Sequence, residues 1–579
     1  MQLGRLTQLP RAQASPEAVA SRAGFIARGA WRLREAAGWR ADRWTVGALA
    51  VAALAALPIM AILFAALDSG GDAVGHLAAT VLPRYVANTA ALMGLAGLTA
   101  AVIGTGCAWL VSAAQFPGRR LFSWALVLPL ALPAYIAAYL YADLLDFSGP
   151  VQAGLRAITG WEAGDYAFPS IRSLGGGAFV LGLVLYPYVY LLARAGFAAQ
   201  GRTRFLAARS LGAGPWRAFR TVALPGARAG IAGGLALVLM EVLADFGVAD
   251  YFAIPTFSTG IFRTWLAMGD KAGALKLAAF MLVFVIALVV LEARTRRGRT
   301  SGRAVPDRAS DAPLVALSPL GKALAVIACA IPLLLGFAIP VGWLGWLAAS
   351  ERALAATGSL AEYAQGSLWL GLGAALVCIL AALLLAFAQA RSSSHTTRAA
   401  IRVATLGYAL PGALLAVGLL APLGLLDGAL TRFARDTLGY SGGLILTGTS
   451  AVLVYALAVR FLTVAYNTLE SGMAAIPPSL DAAARSLGAG PARVLARIYA
   501  PLLSPSLAAA AALVFIDTLR ELPATLILRP FNLETLATRT YRLASDERLV
   551  EASVPALILL VAGLLPVLLL TREKRRGRA

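Results

Sequence analysis

Long uncharged apolar runs alternate with short Arg-rich segments along almost the whole chain. The runs at 45–67, 89–113, 121–142 and 367–390 each supply the roughly 20 residues that a helix needs to cross a bilayer. Reading every such run in this way predicts twelve spans. The first six are 45–67, 89–113, 122–146, 177–197, 229–252 and 275–291; the second six are 322–348, 367–390, 401–425, 442–466, 504–527 and 554–570. The expected fold class is therefore all-α and integral to the membrane.

Composition agrees with that pattern. The 579 residues are 59% hydrophobic and 14% charged, against about 25% charged in a soluble domain. The net charge of +21 would suit a nucleic-acid binder if its arginines formed one patch, but they fall mostly in alternate loops. No nucleic-acid partner is expected. Arginines favour the cytoplasmic side. They occur at Arg22, Arg28, Arg32, Arg34, Arg40 and Arg43, at Arg119 and Arg120, at Arg202, Arg204, Arg209, Arg217, Arg220 and Arg228, through 294–308, and in the last eight residues. The intervening loops are poorer: 68–88 holds only Arg84, and 427–441 only Arg432 and Arg435. Both termini are thus expected in the cytoplasm of a bacterial inner membrane. The first 44 residues read as a basic cytoplasmic tail leading into an uncleaved helix, because the first apolar run is too long for a signal peptide. Cys107, Cys329 and Cys378 lie within apolar runs without a CxxC, and His76 and His395 are far apart. Neither a disulfide framework nor a metal site is assigned.

An internal repeat organises the chain. AARSLGAGP at 207–215 recurs 276 positions later at 483–491. The same offset carries Pro225 onto Pro501, Arg263 and Thr264 onto Arg539 and Thr540, and Asp270 onto Asp546. ALP at 131–133 recurs at 409–411. The predicted domains are a tail at 1–44, a first membrane domain at 45–293, a cytoplasmic linker at 294–320, a second membrane domain at 321–571 and a basic tail at 572–579. Two parallel six-span halves imply a pseudo-twofold axis along the membrane normal, with a pathway between them.

The repeated segment predicts a helix–turn–helix in each half. Gly212 and Gly488 can take a positive φ that ends the first helix. Pro215 and Pro491 suit the first turn of the second, which Pro225 or Pro501 then stops. Ala-Ala, three residues, Gly and a Pro thirteen residues later resemble the EAA loop of binding-protein-dependent ABC permeases. The resemblance covers nearly the whole chain and implies a type I importer fold. It also makes Ala207, Ala208, Gly212, Pro225, Ala483, Ala484, Gly488 and Pro501 the residues that couple to two ATP-binding subunits. The family's Glu falls at Leu206 and Ala482, with Asp481 beside the second. The chain has no GxxxxGK[ST] phosphate loop. It is therefore expected to bind no cofactor and catalyse no reaction, with ATP and Mg on partner subunits and a periplasmic binding protein delivering substrate.

ADFGVADYFAIPTFSTGIFR at 244–263, RELPATLILRPFNLETLATR at 520–539 and ASDER at 544–548 resemble fused ferric-iron permeases of the Fbp/Sfu type. This implies Fe(III) as substrate, with thiamine or another small solute as the alternative. Glu241 and Asp245 are four apart in the fifth predicted span, and Asp517 and Glu521 hold the equivalent places in the eleventh. Ionisable groups in a span are costly and read as pathway groups, and four carboxylates suit a hard, oxygen-seeking cation. The other reading pairs them structurally with Arg520, Arg263 or Arg539. Gly226, Gly230 and Gly234 read as a helix-packing stripe. A secondary transporter would share the duplication and the charge bias, but would have no use for matched coupling loops.

Overall fold

The structure is a computed structural model that describes residues 43–67, 80–162, 164–199, 202–297, 315–355, 358–392, 394–439, 442–474 and 476–576. Most of the N-terminal tail, most of the linker and the last three residues lie outside the described residues. The described residues are almost entirely helical, with one isolated bridge between Ala114 and Val315.

The first half contains α1 (Arg43–Leu67), α2 (Leu82–Ala113), α3 (Arg119–Ala125), α4 (Ala134–Leu145), α5 (Pro150–Thr159), α6 (Leu174–Ala199) and α7 (Arg202–Ser210). It continues through α8 (Pro215–Ala244), α9 (Gly247–Tyr251), α10 (Phe257–Phe262) and α11 (Lys271–Arg297). The second half opens with α12 (Pro319–Ala348), followed by α13 (Glu351–Ala355), α14 (Leu360–Arg391), α15 (His395–Ala404), α16 (Gly412–Leu438), α17 (Ser450–Ala474), α18 (Pro478–Ser486) and α19 (Pro491–Val494). Then come α20 (Ser504–Arg520), α21 (Pro523–Leu528), α22 (Leu536–Ser545) and α23 (Leu549–Arg576). Among the described residues nine helices are long and apolar enough to cross a membrane. Two bent pairs and the apolar segment Leu549–Leu565 occupy the other predicted places. Helices run past the expected linker edges, since α11 continues to Arg297 and α12 begins at Pro319.

Where the chain departs from twelve straight spans, prolines and carboxylates are responsible. The third run is not one helix. Pro129 lies within a 3-10 turn at Leu128–Ala131 and Pro133 follows it, and the segments on either side bend by 91°. The same device recurs in the second half: α15, a 3-10 turn at Gly407–Ala409, Pro411 and α16. The predicted fifth and eleventh spans break at Asp245 and Glu521, both in extended backbone.

Pro225 does not stop a helix as the sequence suggests. A proline lacks an N–H and its ring crowds the carbonyl four residues back. Here the backbone widens into a π-turn at Phe219–Ala223, and α8 continues unbroken to Ala244. The second half repeats the π-turn at Leu495–Tyr499 before Pro501, but there the helix bends by 67° into α20. One difference in sequence is Pro505, which stands where the first half has Ala229.

The halves interlock. The first helix of each packs onto the other half. α1 lies against α14, α15 and α16, with Trp44 edge-on to Phe387 at 4.6 Å and Tyr455 donating to the Leu54 carbonyl at 2.6 Å. α12 lies against α2, α3, α4 and α6, and the Trp343 indole N–H donates to Asp143 Oδ2 at 2.7 Å. Within the first half, Gly230 and Gly234 let α8 approach the α6 backbone. A Cβ at these positions would fall 2.3 Å from the Leu192 carbonyl oxygen and 2.6 Å from the Val189 Cα. Gly226 is exposed instead, and Ala227 takes the next contact, against Gly196.

Candidate functional site

The repeated turn has the same geometry in both copies. α7 ends at Ser210, and Gly212 takes φ +85°. The Ala213 N–H bonds the Ala208 carbonyl at 3.1 Å and the Gly212 N–H bonds the Arg209 carbonyl at 3.1 Å. This is a Schellman closure, which needs a left-handed residue after the helix. In the second copy Gly488 takes φ +78°, and the Ala489 N–H bonds the Ala484 carbonyl at 3.0 Å. The two alanines of each pair divide their work. Ala208 packs with Phe205, Ala218 and Ala223, and Ala484 with Phe387, Val494 and Tyr499. Ala207 and Ala483 are exposed, and their carbonyls accept from Leu211 and Leu487. Those two leucines escaped the sequence reading. They sit at equivalent places beside the glycines, each 87% exposed.

The four candidate carboxylates separate into two kinds. Asp245 and Glu521 were expected on the same helical face as Glu241 and Asp517, but they lie beyond the helix ends. A helix that stops leaves its last carbonyls unpaired, and the next helix begins with unpaired N–H groups. Asp245 Oδ2 accepts from the Ala249 N–H at 3.0 Å and so caps α9. The longer Glu521 reaches further. Oε1 accepts from the Ala524 N–H at 3.1 Å, and Oε2 from the Thr525 N–H at 3.0 Å and the Thr525 hydroxyl at 3.1 Å. Glu521 is 5% exposed. Glu241 and Asp517, one turn earlier, remain on the bodies of α8 and α20.

All four nevertheless line one cavity of about 190 Å³ between the halves. Its walls include Leu130, Ala134 and Tyr135 from the first half's broken run, Val184 and Tyr188 from α6, Tyr408, and Arg460 and Arg520. Tyr408 donates across the interface to Glu241 Oε1 at 3.2 Å. Among the described residues no three His, Cys, Asp or Glu side chains converge as a metal-holding group.

Two of the three expected arginine partners pair elsewhere, and the third, Arg520, stays beside Asp517 in the cavity wall without a salt bridge. Arg263 lies 3.6 Å from Asp250, and Arg539 lies 4.0 Å from Glu534. The carboxylate that is paired is Glu521, and its partner is Arg460 at 3.3 Å. Sequence reasoning missed Arg460 because the repeat places Val184 there in the first half. A signal was present one element away. Gly412 follows Pro411 where Ala134 follows Pro133. A Cβ at Gly412 would fall 2.4 Å from Glu521 Oε1 and 2.5 Å from Arg460 Nη1. The second half thus has Gly412, Arg460 and Glu521 where the first has Ala134, Val184 and Asp245. Gly412→Ala should lower the thermal unfolding temperature of the purified protein, by the equivalent of about 1–3 kcal/mol for an overpacked site. Adding Arg460→Val, which recreates the first-half arrangement, should recover part of the loss. Strictly additive losses in a double-mutant cycle would refute the coupling.

No family model matches this chain. Full-length relatives do. The Fe(3+)-transport system permease protein FbpB 2 of Haemophilus influenzae is 25% identical over 525 residues, covering 89% of this chain and 95% of that protein. The probable ABC transporter permease protein y4fN of Sinorhizobium fredii is 26% identical over 573 residues, covering 92% and 95%. The molybdenum transport system permease protein ModB of Escherichia coli is 29% identical over 222 residues, 92% of its own length but 35% of this chain. Long relatives match along nearly all of the chain and a short one along about a third, as the internal repeat requires. With its all-helical membrane fold, the chain is a fused two-domain permease of an ABC transporter.

Proposed function

We propose that this chain forms the translocation path of an ATP-driven importer of ferric iron in a bacterial cytoplasmic membrane. The cavity between the halves, walled by four carboxylates, supports a cation as cargo. The likeness to the FbpB 2 permease along nine-tenths of the chain favours iron among cations. Carboxylate oxygens suit a hard ion, and the absence of a converged ligand set among the described residues suits a passage, where an ion must leave as readily as it enters.

In this reading two separate ATPase subunits dock on the two Gly212 and Gly488 turns, with Leu211 and Leu487 as exposed apolar contacts. An extracytoplasmic binding protein delivers the ion at the opposite face, and both termini lie on the ATPase side. ATP and Mg belong to the partner subunits.

Two outcomes test this. Deleting the gene should impair growth under iron chelation, and added thiamine should not restore it; rescue by thiamine alone would reassign the cargo. Gly212→Val and Gly488→Val force a β-branched residue into positive φ, a costly backbone state. Each should lower ATP-dependent uptake while the protein still inserts in the membrane. Normal uptake with normal ATPase stimulation in both variants would refute the coupling role of these turns.

A further inference from the structure

The cavity's polar groups are unequal in what already holds them. Asp245 is engaged by the N–H of Ala249. Glu521 is engaged by two N–H groups, a hydroxyl and Arg460. Removing either would leave helix-start N–H groups unpaired where lipid and packed protein offer no substitute. Their place is in the wall.

Glu241 and Asp517 are related by the repeat offset and lie on the helix bodies, one in each half. Glu241 holds a single neutral contact, the Tyr408 hydroxyl. Among the described residues Asp517 makes no direct hydrogen bond or salt bridge, and neither does Arg520, although the Arg520 charge acts on Asp517 across the one turn between them. A third unsatisfied group lies in the same wall. Tyr135 is 6% exposed, and its hydroxyl has no partner. A buried hydroxyl without a partner is costly unless something supplies one. Two carboxylates and a phenol oxygen are the oxygen donors that a hard cation takes.

We propose that Glu241 and Asp517, with the Tyr135 hydroxyl, form the transient contact site for the cargo cation inside the cavity. Asp245 and Glu521 hold the walls. Arg520, one turn from Asp517 on the same helix, supplies the opposing charge that keeps the contact weak. The proposal rests on the reading of the chain as a cation importer and deepens it by assigning the contact. Because Tyr408 and the cation compete for Glu241, arrival of the ion also loosens the hydrogen bond that ties the halves together beside the cavity.

The test uses the full transporter, with its ATPase subunits and binding protein, reconstituted in vesicles and supplied with radioactive ferric iron. The double variant Glu241→Gln with Asp517→Asn keeps an acceptor for Tyr408 and removes both charges. It should lower iron uptake at least about tenfold, the scale of one lost charge-assisted contact, while co-purifying with the ATPase subunits as the wild type does. The exchanged pair Glu241→Asp with Asp517→Glu keeps both charges and should retain most uptake. Arg520→Gln should lower the half-saturating iron concentration and slow turnover at saturation. Wild-type uptake in the neutral double variant would overturn the proposal. So would an exchanged pair as inactive as the neutral one, because that result would make the side chains structural. A wild-type transporter that moves no cation would overturn the cation reading and this assignment with it. Wild-type iron uptake combined with an unaffected neutral variant would overturn the assignment alone.

Discussion

A helix that stops inside a membrane protein must hand its backbone polar groups to new partners, because the surrounding hydrocarbon offers none. That constraint shapes this permease at two equivalent points. α8 ends at Ala244 and α20 at Arg520, and in each case the next residue is a carboxylate that caps the short helix beyond it. The breaks turn the chain aside before it returns through α10 or α22. There Thr256 with Thr259, and Thr535 with Thr538, close matching capping boxes. Even the anchors of these returns correspond: the Phe257 N–H bonds Thr89 Oγ1 at 3.3 Å, and the Leu536 N–H bonds Ser367 Oγ at 2.8 Å. With the backbone satisfied on both sides, the space between the two breaks can stay open as a polar cavity.

The duplication is close in backbone and loose in side chains. The positive-φ glycines Gly212 and Gly488, the π-turns before Pro225 and Pro501 and the capping threonines recur at matched places. The arginines of the cavity wall do not. Both cavity arginines come from the second half, Arg460 opposite Val184 and Arg520 opposite Ala244. The cavity therefore presents different chemistry on its two sides. The swapped positions of α1 and α12 bind the halves together on their outer faces, so that separation at the cavity need not separate the domains.

Much of this was legible in the sequence. The apolar runs marked the helices, the offset of 276 marked the halves, and glycine chemistry marked the turns at Gly212 and Gly488. The breaks at Asp245 and Glu521 were not legible, because a carboxylate four residues after another reads as a helical face whether or not the helix continues. Pro225 misled for the opposite reason: a proline marks a stop in sequence, yet a π-turn absorbs it within a continuous helix. The packing of α1 on the second half had no signal, since a helix that is apolar all round has no face to read. Arg460 was hidden by its valine counterpart, although Gly412 in place of alanine recorded the space it needs.

The central claim is that the cavity between the breaks belongs to the translocation path. Alternating access of that cavity is its most direct measure. Cysteines introduced at Ala134 and Ala244, which line it, in a chain whose Cys107, Cys329 and Cys378 are replaced, can be probed in vesicles with a membrane-impermeant thiol reagent from each side. The two thiols should react from one side without nucleotide on the ATPase subunits and from the other side with nucleotide trapped. Thiols that stay unreactive from both sides in both states would contradict it.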